Sequence, residues 1–179
     1  MLLAGDSLMA QTYPPLSGAA NRQTGAPAFV MAAEGGSGLF ELEYYLQRFE
    51  TLERESDPDA VVLSFGTNSA RRPEVVATYL ERAAALLDQL GPVPVLWVAP
   101  RTDLGPGAVE IGHQLRRLAA ERDDLDVRGM DELLVGHPER SADDGIHLSW
   151  AGEEGFARVI LAWLTEHGFG EGDHPLDDQ

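Results

Sequence analysis

The chain has 179 residues, 44% of them hydrophobic, and sets 30 acidic residues against 13 basic ones for a formal charge of −17. That length fits one domain with a sizeable core, and the hydrophobic share excludes general disorder. Every basic residue is Arg and there is neither Lys nor Cys, so disulfides and thiolate sites are excluded, and the acidic surface argues against nucleic-acid backbones and anionic membranes.

Met1-Leu2-Leu3-Ala4 reads as a short buried strand that runs directly into Gly5-Asp6-Ser7-Leu8. A serine there sits on a tight turn at a strand end, although Gly, Asp and Ser are also ordinary turn formers. Residues 10–26, rich in Pro, Gly, Ala and Thr, read as a loop with at most a short helical turn. A second strand is expected at 28–32, then a flexible turn at 34–38. Leu39, Leu42, Leu46 and Phe49 follow at helical spacing, so a helix is expected over 39–55. Residues 60–65 form the clearest strand, apolar throughout, as a strand covered on both faces would be. Gly66-Thr67-Asn68-Ser69 turns out of it. Pro73 suits the first turn of a helix reaching about Leu90. A strand at 93–99, a Gly/Pro loop at 103–107, a helix at 108–122 and a weak strand at 125–127 complete the alternation. Residues 129–146 read as polar and irregular, and Ser149 as the N-cap of a helix from Trp150 to about His167. The expected organisation is one domain over 1–168 and an acidic, frayed tail over 169–179.

Strands alternating with helices predict an α/β fold: a parallel sheet of about five strands in a three-layer α/β/α sandwich. On that architecture Ser7, the glycines at 35–38, Asn68, Arg101 and Asp144-Gly145-Ile146-His147 all fall at the carboxyl edge of the sheet, where ligands bind. The residue types suit acyl transfer. A serine needs a base, a histidine base needs a carboxylate to orient it, and the tetrahedral intermediate needs hydrogen-bond donors. Asp144 and His147 lie three residues apart, close enough for one turn to bring them together. Backbone N–H groups of Gly38 and Ser7 and the amide of Asn68 are the candidate donors, with Gly35 and Gly36 as alternatives to Gly38. Asn68 could instead cap the following helix. His113, His137, His167 and His174 lack such company and read as surface or helix-end residues. Arg101 suits a surface ion pair better than a substrate contact. Trp97 and Trp163 read as core, whereas Trp150 stands beside the catalytic loop. No metal-ligand spacing or cofactor motif stands out.

Four blocks, Gly5-Asp6-Ser7-Leu8, Gly35-Gly36-Ser37-Gly38, Gly66-Thr67-Asn68 and Asp144-Gly145-Ile146-His147, resemble in order and spacing those of the SGNH or GDSL hydrolases. The resemblance implies a flavodoxin-like sandwich, a Ser7–His147–Asp144 triad, an oxyanion hole from Gly38, Asn68 and Ser7, and no cofactor or metal. Members of that family include esterases, lipases, carbohydrate acetylesterases and acyltransferases. Two positions depart from its pattern: Ala33 stands where many members have Asn, and Ser69 where many have Asp. The expected activity is hydrolysis of a small-molecule or carbohydrate ester with a small acyl group. An O-acyltransferase would use the same residues, and a non-enzymatic flavodoxin-like binding module is the other class. No membrane span is expected, nor a nucleic-acid partner. The expected location is cytoplasmic, or secreted or in the cell envelope if a leader has been removed. Oligomeric state and substrate-binding residues stay open.

Overall fold

Three fully buried apolar strands form the centre of a five-stranded sheet, flanked by two partly exposed edge strands. The computed structural model describes residues 1–21 and 28–169. Part of the expected 10–26 loop and all but the first residue of the expected tail, His174 included, lie outside the described residues. The strands are β1 (Leu2–Gly5), β2 (Val30–Ala33), β3 (Val61–Ser64), β4 (Val95–Ala99) and β5 (Leu125–Gly129). All pairings are parallel, in the order β2-β1-β3-β4-β5. Gly5 is in register with Ala33 on one side and Ser64 on the other, so the three strands end level and their exits open on one edge.

Successive residues of a strand face opposite ways, and the core divides accordingly. Leu2, Ala4, Val61, Leu63, Val95 and Trp97 pack into one cluster with residues of α2 (Leu42–Ser56), α4 (Tyr79–Leu90) and α5 (Pro106–Ala119). Leu3, Val62, Leu96 and Val98 pack into the other with residues of α1 (Ser7–Ala20), α6 (Met130–Leu134) and α7 (Trp150–Glu166). Trp97 and Trp163 are buried, as expected of core residues. Among the described residues no helix is long and apolar enough to cross a membrane.

Three expectations are corrected. Residues 10–20 are helix, not loop: α1 starts at Ser7 and runs through Pro14 and Pro15. Its buried positions, Leu8, Met9, Thr12, Leu16, Ala19 and Ala20, recur at helical spacing, and burying that stripe outweighs the backbone hydrogen bonds that two prolines cannot make. The helix expected from Pro73 to Leu90 is two, α3 (Pro73–Val76) and α4. Thr78 intervenes at φ −115° and ψ 9°, its hydroxyl turned onto backbone carbonyls of α3 and accepting from Arg82 Nε at 2.9 Å, the local competition that lowers threonine's helix preference. The stretch after β5 holds α6 and a 3₁₀ turn at Pro138–Arg140.

Candidate active site

Ser7 is the first residue of α1, and the residues before it explain why it is held there. A Cβ on Gly5 would lie 2.6 Å from the Ser64 carbonyl oxygen and 2.8 Å from Met9 Cβ, so only glycine lets β1, β3 and α1 meet this closely. Asp6 is fully buried and caps α1, its Oδ1 accepting from the Leu8 N–H at 3.0 Å. Burial pushes its carboxyl up to about 6, opposed by hydrogen bonds from Leu8, Thr67 and Gly66. The Ser7 N–H belongs to the first helical turn, whose amides have no partner within the helix and favour negative charge.

The distal elements bring the other polar groups to Ser7. Ser7 Oγ lies 3.1 Å from His147 Nε2, and His147 Nδ1 lies 2.6 Å from Asp144 Oδ2. Asp144 Oδ1 accepts the N–H groups of Ile146 and His147, both at 2.9 Å. The His147 ring, followed by those two N–H groups, holds the Asp144 carboxyl well below its usual range. An ionised carboxylate only accepts, so Nδ1 carries the ring proton and Nε2 is left as an acceptor for the Ser7 hydroxyl. The loop is self-supporting. Ser141 and Leu148 form an antiparallel bridge, and Ala142 N–H donates to His147 O at 2.9 Å. Ser149 caps α7 through Gly152 N–H. Asp143, next to Asp144, is exposed.

Asn68 follows β3 at the point where sheet order reverses between β1 and β3, the place where open α/β sheets form their crevice. It makes no side-chain cap. Its Nδ2 donates instead to Ser37 O at 2.9 Å. Among the described residues there are no cis peptides, and the C=O and N–H of a trans peptide point opposite ways. With its carbonyl on Asn68, the Ser37–Gly38 peptide therefore turns the Gly38 N–H away from that amide. Gly38 is glycine for packing: a Cβ there would meet the Phe40 ring at 2.7 Å and Ser69 Oγ at 2.8 Å. Side chains added at Gly35 and Gly36 would meet nothing within 4 Å, which leaves that turn bordering open space.

Arg101 is buried rather than on the surface. It pairs with Asp103 and reaches Ser141 Oγ at 3.4 Å, tying the β4 exit to the root of the His147 loop. His167 is a helix-end residue that stacks on Trp163 and lies 3.2 Å from Asp126 Oδ2, and His137 pairs with Glu139. Trp150 is exposed, its Nε1 donating to Glu154. Sequence reasoning missed Ser37, Ser69 and Arg82, which cross-link the loops around Asn68. Ser69, one of the two positions that depart from the resembled pattern, was the available signal.

A family model described as GDSL-like lipase/acylhydrolase matches residues 3–154. The chain belongs to that family. As a GDSL-type protein it is a carboxylic ester hydrolase. Solved structures share its fold. A lipase/acylhydrolase from Enterococcus faecalis aligns with a TM-score of 0.73 at 21% identity, over 93% of this chain and 95% of its own. A catalytic mutant of an acetylxylan esterase from Geobacillus stearothermophilus aligns with a TM-score of 0.73 at 16% identity, over 94% and 93%. The psychrotrophic esterase EstA from Pseudoalteromonas sp., inhibited by monoethylphosphonate, aligns with a TM-score of 0.70 at 15% identity, over 92% and 97%. No curated protein sequence matches the chain.

Proposed function

We propose that this GDSL hydrolase cleaves a carboxylic ester of a small acyl group through an acyl-enzyme on Ser7. His147 takes the Ser7 proton as the hydroxyl attacks the ester carbonyl, then gives it to the departing alcohol. Water enters, His147 takes a proton from it as its oxygen bonds to the acyl carbon, and His147 returns that proton to Ser7 Oγ as the acyl–Oγ bond breaks and the carboxylic acid leaves. Asp144 keeps the imidazole in the required tautomer and stabilises the imidazolium. The Asn68 amide and the Ser7 N–H stabilise the oxyanion, with a third backbone donor from the Gly35–Gly38 turn. One observation carries the reading: the unbroken line from Ser7 Oγ through His147 to Asp144, at 3.1 Å and 2.6 Å. The short acyl group draws support from the acetylxylan esterase among the similar structures.

Ser7→Ala tests it. Turnover of a short activated ester falls by about 10³-fold or more while the fold is kept, because the covalent route is gone. Activity within a few-fold of the parent enzyme would overturn the mechanism. A panel of esters differing in chain length then tests the acyl preference, and product analysis with added alcohols separates hydrolysis from acyl transfer.

A further inference from the structure

A hydroxyl that no catalytic step uses ties together the two loops around Asn68. Ser69 is fully buried, and its Oγ accepts the Leu39 N–H at 3.2 Å. Asn68, beside it, holds Ser37 O. Arg82, on α4, donates from Nη1 to Leu39 O at 2.9 Å. Ser37 is nearly buried too, its Oγ within 3.1 Å of Gly5 O and 2.7 Å of Glu34 O. The Ser37–Leu39 segment is thus laced on one side to the Asn68 turn and on the other to the end of β1. The approach is too close for a side chain at Gly38, where a Cβ would sit 2.8 Å from Ser69 Oγ.

An asparagine amide turns freely about its terminal torsion, which has only a broad preference. To offer an N–H at a fixed point it needs an anchor. The Asn68 amide has two N–H groups, and the one on Ser37 O serves as that anchor. Its position is only as constant as the segment carrying the Ser37 carbonyl. That segment continues into Leu39, whose N–H is held by Ser69 and whose C=O is held by Arg82.

We infer that Ser69 is a positioning residue for the oxyanion hole. By accepting the Leu39 N–H it clamps the Ser37–Leu39 segment against Asn68, and so fixes where the second N–H of Asn68 points. The inference rests on the catalytic reading of the preceding section. Its chemistry is that of preorganisation: donors accelerate a reaction when they already face the site of developing charge, and a displacement of about 1 Å can lower the rate by about 10²-fold.

Ser69→Ala removes the acceptor with little change in volume. The measurements are kcat and KM on a short activated ester, the rate and stoichiometry of organophosphonate labelling at Ser7, and the melting temperature. Expected are a kcat per labelled site lower by about 10- to 10²-fold, KM within about twofold, and phosphonate labelling slowed in parallel, since a phosphonate adduct uses the same donors. A buried N–H without a partner also lowers stability, so the melting temperature falls in either case; the rate per labelled site does not fall if Ser69 only packs. A kcat per labelled site equal to the parent's overturns the inference. If Ser69→Ala does not fold, Ser69→Cys is read in the same way, since a thiol keeps the shape but is a weak acceptor. Failure of the catalytic reading looks different: the parent enzyme takes up no phosphonate, or Ser7→Ala stays active.

Discussion

Two adjacent carboxylates, Asp143 and Asp144, have the same chemistry and different surroundings. Asp144 Oδ2 faces the imidazole at 2.6 Å while its Oδ1 accepts two backbone N–H groups. Asp143 is exposed on a chain already carrying a charge of −17. Neighbouring side chains on a turn point in different directions, so only one of the two can orient the ring. Asp144→Asn is expected to lower kcat/KM on the order of 10²-fold or more, because an amide no longer selects the tautomer with Nδ1 protonated. Asp143→Asn is expected to leave it within about twofold, as for a surface substitution away from any special feature. The check is kcat/KM for both variants on one ester, after each is shown to be folded. Damage from the Asp143 change, or none from either, contradicts the assigned role of Asp144.

At the scale of elements, the nucleophile depends on how tightly β1, β3 and α1 meet. Gly5→Ala places a methyl 2.6 Å from the Ser64 carbonyl oxygen, and the backbone contacted there cannot swing aside. A loss of about 1–3 kcal/mol is expected, as for overpacking of a filled core, measured by urea denaturation; a variant as stable as the parent would mean that the junction has slack. The same junction shows what could be read from the chain. The inner strands were legible because residues covered on both faces are apolar as a rule, and Val61–Ser64 has no exposed position. The Asp144–His147 pair was legible because its whole scaffold lies within a few residues. Helix α1 was not, since Pro14 and Pro15 are strong local breakers and only the tertiary burial of Leu8, Met9 and Leu16 overrides them. Neither was the direction of the Gly38 N–H, which depends on Asn68 meeting Ser37 across 31 positions of sequence. No local pattern carries a contact of that kind.

The stability of the whole molecule has a pH dependence that begins at Asp6. Its carboxyl is raised from 3.8 to about 6 in the folded protein, above its value in the unfolded chain. As pH falls through 6 the folded state takes up a proton before the unfolded state does, so this group's contribution to stability increases as pH drops from about 6 toward 4. Above 6 the buried carboxylate is a net cost. The slope is about 1.4 kcal/mol per pH unit inside that window. The stability of the parent enzyme relative to Asp6→Asn is therefore expected to increase from pH 7 to pH 5, measured by urea denaturation at each pH. A constant difference across that range would mean that Asp6 titrates normally.

The division of the strands between two cores also sets how the gene can change length. Leu2 and Ala4 serve one helix layer and Leu3 the other. One residue inserted or deleted within β1 would exchange every later side chain of that strand between the layers at once. The carboxyl-edge loops carry no such alternation. Natural variation in length should therefore concentrate in those loops, where it can reshape the crevice around Ser7, while the four-residue strands keep a fixed count.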